Sequence, residues 1–130
     1  MPERSVFDTR FFIEYFYSKD PRRLGKLKGY LRSVKVRFVS AVTLHELYRI
    51  DLEKEGRDVA RLRSEVLRRD FKVVGVDYEL AVRSAELRSR YRIPMADSMI
   101  AATAQVYKCP VVSDDPHFKK IKGLETRWIR

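Results

Sequence analysis

The sequence is poor in everything that would staple a chain together or carry it through a membrane. Cys109 is the only cysteine in 130 residues, so no internal disulfide forms and the core must hold the fold. Five glycines and five prolines are too few for a collagen-like or low-complexity chain. No run approaches the ~18 apolar residues of a membrane helix. The opening Met1-Pro2-Glu3-Arg4-Ser5 lacks the apolar stretch of a secretion signal. The expectation is a soluble, cytoplasmic protein with no membrane partner. Asn is absent and Gln105 is the only Gln, beside 35% charged residues. Few thermolabile amides among many ionic groups point to a thermophilic source. No P-loop, Rossmann glycine signature or Ser-His-Asp order is present.

What is there suits an ordinary globular protein. Hydrophobic residues make up 45% and aromatics 12% of the chain, enough for one domain over residues 1–130 with a core of its own. The net charge is +10. A small basic domain is drawn to polyanions, whether nucleic acid, an anionic surface or an acidic protein.

Periodicity gives the element order. Ser5-Val6-Phe7 reads as the end of a buried strand, and Phe11, Phe12, Tyr15 and Phe16 then recur at helical spacing. Pro21 opens a second helix to about Arg32. Val36 to Val39 is a strand, 41–55 a helix closed by Gly56, and 57–70 another helix carrying Val59, Leu62, Val66 and Leu67. Phe71 to Val76 is a valine-rich strand, 78–91 a helix behind Asp77, and Pro94 to Tyr107 a helix opened by proline. Val111 to Ser113 is a strand, 116–121 a helical turn, and 126–129 an edge strand. Short apolar strands alternating with helices predict an α/β protein with a parallel sheet covered on both faces. In such a sheet the functional crevice lies beyond the strands' C-terminal ends.

Carboxylates stand out at four places in the chain. Asp8 follows the first strand, and Asp114 and Asp115 follow the fourth. Each has a plain alternative role, because aspartate is a favoured helix N-cap. Glu46 lies four residues after Val42 and four before Ile50, on the apolar face of its helix. A carboxylate there needs a cation, a proton or strong donors, and an arginine partner is the competing explanation. Asp97 opens a helix whose next turns present Ile100, Ala101 and Ala104, and a first-turn surface charge is its alternative. A hard dication, Mg²⁺ or Mn²⁺, accounts for all four acids together.

These residues carry a resemblance. Val6-Phe7-Asp8-Thr9, Ser40-Ala41-Val42-Thr43-Leu44-His45-Glu46-Leu47, Asp97 with Ile100-Ala101-Ala102-Thr103-Ala104, and Val112-Ser113-Asp114-Asp115-Pro116-His117-Phe118 resemble the motifs of the PIN-domain family, and within it the VapC-type toxins. The resemblance implies a PIN-like three-layer α/β/α sandwich with a central parallel sheet of order 3-2-1-4-5. It implies a Mg²⁺- or Mn²⁺-dependent endoribonuclease, the toxin of a type II toxin–antitoxin pair. Asp8 and Asp97 would be the leading metal ligands. Glu46 and Asp115 would ligate, hold waters or position the attacking water. Thr9 and Ser113 would supply supporting hydroxyls. Arg10 stands where a small or polar residue is frequent, Ser113 where threonine is common, and Asp114 is a second acid beside Asp115. The implied partners are RNA, an antitoxin protein and a second copy of the chain.

Between Lys19 and Arg37 there are eight basic residues and one acid. Arg10, Arg22, Arg23 and Lys26 are the candidate RNA contacts, and a solvated helix face is the alternative. His45 and His117 lack the spacing of a metal-ligand pair and are read as surface or packing residues. Two other functions remain open at this point: a PIN nuclease of RNA maturation or decay without an antitoxin, and a non-catalytic RNA-binding module.

Overall fold

The computed structural model describes residues 4–129; Met1 to Glu3, part of the stretch read for a leader, lie outside the described residues. The chain runs β1 (Arg4–Phe7), α1 (Thr9–Tyr17), α2 (Pro21–Ser33), β2 (Val36–Ser40), α3 (Ala41–Lys54) and α4 (Arg57–Asp70). It continues through β3 (Lys72–Val74), α5 (Tyr78–Tyr91), α6 (Met95–Tyr107), β4 (Val111–Val112), α7 (Pro116–Lys119) and β5 (Thr126–Arg127).

All four strand pairings are parallel, and the sheet order is β3-β2-β1-β4-β5. Successive strand residues point to opposite faces, and this chain uses that alternation to build two cores. Val6, Phe38 and Val111 pack against Leu80, Leu87, Ile100, Ala101 and Ala104 of α5 and α6. Their neighbours Phe7, Val39 and Val112 pack against Phe11, Phe12, Leu27, Leu47 and Leu67 of α1 to α4. Helices therefore cover both faces, giving the three-layer α/β/α sandwich. The second core is aromatic at its centre: the Phe7 ring lies 4.9 Å from Phe11 and 5.4 Å from Phe71, both edge-on.

Several boundaries differ from the sequence expectation. The third strand keeps only Lys72–Val74, because Phe71 is drawn into the second core and closes α4. Pro94 caps α6 instead of lying in its first turn. Leu62 is 66% exposed: at 100° per residue it faces away from Ala60 and Leu67, which form the buried stripe of α4.

The topology sets the site. β1 lies between β2 and β4, so after β3 the chain crosses back over the sheet, and the switch point falls at the C-terminal ends of β1 and β4. Asp8 leaves the first of these ends, and Ser113 to Asp115 leave the second.

Candidate metal centre

Asp8 occupies the residue before α1, yet its side chain makes no capping bond to that helix. Its carboxylate accepts instead from the Ser113 hydroxyl, Oγ to Oδ2 2.7 Å, across 105 residues of sequence. It is 3% exposed. Burial pushes its pKa up to about 6; the Ser113 bond opposes the rise, and the charges of Asp97 and Asp115 add to it.

Asp115 does cap α7, accepting from the His117 backbone N–H at 2.9 Å. Its own N–H donates to Ser113 Oγ at 3.0 Å. Ser113 thus ties the Asp8 carboxylate to the turn that aims Asp115. The capping role and the site role coexist in one atom: Oδ1 accepts at the helix end and also lies 3.0 Å from the His117 ring nitrogen.

Asp97 lies in the first turn of α6, which the flanking buried residues Ile100, Ala101 and Ala104 seat on the sheet. Burial raises its pKa, and repulsion from Asp115 and Glu46 pushes the same way against the opposing effect of His117. Glu46 projects from α3 and accepts from the Thr9 hydroxyl at 2.7 Å; that hydroxyl lies 3.2 Å from the one on Thr43. No arginine pairs with Glu46 among the described residues. The arginine partner belongs to Asp51, one turn further along α3, which is 2% exposed and bonded to Arg63 Nη1 at 2.9 Å and to the Tyr17 hydroxyl.

The structure therefore brings Asp8, Glu46, Asp97 and Asp115 together, with Thr9 and Ser113 as hydroxyl donors between them. It also brings in His117, for which the sequence predicts a surface or packing role. His117 Nδ1 is 2.8 Å from Asp97 Oδ2 and 3.0 Å from Asp115 Oδ1. Its position two residues after an N-capping aspartate was the available signal.

Asp114 turns outward and pairs with Arg10, Nε to Oδ1 2.5 Å. Asp8 and Asp115 also act on the Arg10 charge, so the guanidinium lies beside the acidic cluster. Arg22 and Lys26 are exposed. Arg23 is committed to structure: it binds both oxygens of Glu14, at 2.8 and 3.1 Å, and the Ile129 carbonyl, with its guanidinium 5.7 Å from the Trp128 ring centre.

The PIN-domain family model matches residues 5–124. The chain belongs to the PIN-domain family. The solved structures it resembles include VapBC2 from Rickettsia felis bound to a promoter DNA fragment, at 14% identity over 98% of this chain and 99% of that chain, with a TM-score of 0.78. VapC20 from Mycobacterium tuberculosis, a toxin that cleaves the sarcin-ricin loop, matches at 20% identity, 95% and 98% coverage and a TM-score of 0.77. FitAcB from Neisseria gonorrhoeae matches at 21% identity, 95% and 96% coverage and a TM-score of 0.76. These likenesses carry the fold. No curated protein matches the chain closely enough to stand as a relative.

PIN domains imply a divalent metal, and the donor set here fits one. Two carboxyls are pushed toward their neutral forms by burial and by one another. Among the described residues no lysine or arginine makes a salt bridge to Asp8, Glu46, Asp97 or Asp115. Oxygen donors of this kind suit Mg²⁺ or Mn²⁺, and Asp97, Asp115 and His117 present ligand atoms that all lie within 4.8 Å of one another. Among the described residues, no helix is long and apolar enough to cross a membrane.

Proposed function

We infer that this PIN domain is a Mg²⁺- or Mn²⁺-dependent endoribonuclease that acts as the toxin of a toxin–antitoxin pair. The observation that carries the reading is the convergence of Asp8, Glu46, Asp97 and Asp115 on one pocket, where their charges oppose one another and Thr9 and Ser113 orient two of them. A dication held there supplies charge neutralisation and Lewis acidity for phosphodiester hydrolysis. Asp8 and Asp97, the two acids with raised pKa, are assigned as the principal ligands. Asp115, fixed at the head of α7, is the third. Glu46, on the opposite helix and held by Thr9, is assigned to accept a proton from the attacking water.

The basic surface serves the same substrate. RNA is a polyanion, and cationic side chains beside the acidic cluster let the strand approach; Asp8, Asp97 and Asp115 would hold the dication that offsets the charge of the scissile phosphate there. Arg10 beside the acidic cluster, with Arg22 and Lys26 exposed on α2, is assigned to phosphate contact. Arg23 contributes its field, since its groups are already bonded within the protein.

The toxin assignment draws on the structural neighbours, among them a toxin–antitoxin complex from Klebsiella pneumoniae and VapBC-5 from Mycobacterium tuberculosis, a member of the VapBC family of toxin–antitoxin systems. An antitoxin and a second copy of the chain are the expected partners. An open groove of about 560 Å³ lined by Leu44, Tyr48 and Leu52 on α3 offers apolar surface for a partner segment. Phe11 and Phe12 offer none, being buried, with Tyr15 and Phe16 stacked on them.

Inducible expression of the wild type and of Asp97→Asn in a bacterial host tests the reading. Growth arrest by the wild type alone, with RNA fragments accumulating, is the expected result. Equal arrest by both forms removes the catalytic explanation.

A further inference from the structure

His117 joins Asp97 and Asp115 as a nitrogen donor beside the acids, and its placement is built rather than incidental. Pro116 opens α7, Asp115 caps it through the His117 N–H, and Phe118 is fully buried behind it. The backbone on either side of the imidazole is thus pinned. The ring nitrogen that faces the acids is Nδ1, so Nε2 is left to carry the ring's proton when Nδ1 gives up its own.

The two separations are informative. An ion with bonds of ~2.1 Å in octahedral geometry holds neighbouring donors ~3.0 Å apart, by the right-angle geometry of its ligands. Nδ1 is 2.8 Å from Asp97 Oδ2 and 3.0 Å from Asp115 Oδ1. Both separations are near the spacing of adjacent ligands, with Nδ1 as the common neighbour of the two oxygens, and the three ligand atoms lie within 4.8 Å of one another. We propose that His117 Nδ1 is a metal ligand alongside Asp97 and Asp115, and that this nitrogen makes the centre favour Mn²⁺ over Mg²⁺. The proposal rests on the metal-dependent reading above and adds a ligand to it. The chemistry of preference is general: Mg²⁺ seeks oxygen donors and water, whereas transition-metal dications accept imidazole.

The test is spectroscopic. Metal-free protein is loaded with Mn²⁺ and its electron spin-echo modulation is recorded, with natural-abundance protein and with protein carrying ¹⁵N-histidine. Modulation from a directly bound nitrogen is expected, changing with the isotope, retained in His45→Gln and lost in His117→Gln. Calorimetric titration should show the Mn²⁺ affinity of His117→Gln reduced at least about tenfold, since even outer-shell changes cost that much, with Mg²⁺ affinity changed under about threefold. Isotope-dependent modulation in wild type and His45→Gln supports the proposal even if His117→Gln does not fold. Tight Mn²⁺ binding with no nitrogen modulation overturns the proposal and leaves the carboxylate centre standing. Failure of the wild type to bind Mn²⁺ overturns both.

Discussion

Replacing Asp8 by Asn should make the metal-free protein more stable, and only above a definite pH. Burial first, then repulsion from Asp97 and Asp115, raises the Asp8 pKa from 3.8 to about 6. Below about pH 4 the carboxyl is neutral in both folded and unfolded chains, and the fold bears no penalty. Between pH 4 and 6 the unfolded chain ionises while the folded one holds its proton. Above pH 6 the folded chain must ionise too, and the full penalty of about 3 kcal/mol is reached. The stability conferred by the neutral carboxyl is therefore complete below pH 4 and lost as the pH rises through 6. Asn is uncharged throughout, nearly isosteric, and keeps an oxygen for the Ser113 hydroxyl. A gain of about 2–3 kcal/mol at pH 8 is expected, or about 7–11 °C in Tm for a chain of this size. Calorimetric melting in EDTA at pH 4, 6 and 8 checks it. A variant no more stable than wild type at pH 8, or one with the same advantage at pH 4, refutes the reasoning. Added Mn²⁺ should reverse the order, because ligand binding stabilises the form that binds it.

Asp51→Ala should cost about 3–5 kcal/mol in urea denaturation, since it strands Arg63 in a largely buried site. Its Mn²⁺ affinity should stay within about twofold of wild type if the fold is retained, because Asp51 is not among the pocket acids. Arg10→Ala should leave stability within about 1 kcal/mol, as its pair with Asp114 is exposed. The slope of log affinity for RNA against log salt should fall by about one, read by fluorescence anisotropy; an unchanged slope would remove Arg10 from the phosphate contacts.

The parallel sheet and both helical layers were legible because burial on two faces leaves a simple mark. Val6-Phe7, Phe38-Val39 and Val111-Val112 are adjacent apolar pairs, and each pair splits between two cores. Element ends were less legible where tertiary packing decides them, as with Phe71, whose ring belongs to the core beneath β3 rather than to the strand. In the pocket, Asp8 was legible as an acid at a strand end but not as an uncapped one, because whether a side chain caps its helix depends on a competing donor 105 residues away. The helical-face argument applied to Glu46 holds with more force for Asp51, which continues the buried stripe of Thr43 and Leu47. Asp51 is not among the residues singled out from sequence, and only the fold supplies its partners Arg63 and Tyr17. For His117 the sequence holds only its spacing from Asp115; its proximity to Asp97 arises from α6 and α7 meeting, which local spacing does not record.

Cleavage of a defined RNA by the purified protein, stripped with EDTA and then resupplied with Mn²⁺, tests the central claim most directly. The account predicts no cleavage in EDTA, restoration by Mn²⁺ in the wild type, and none with Asp97→Asn at any Mn²⁺ concentration. Cleavage that persists in EDTA, or that Asp97→Asn performs as well as the wild type, would contradict it.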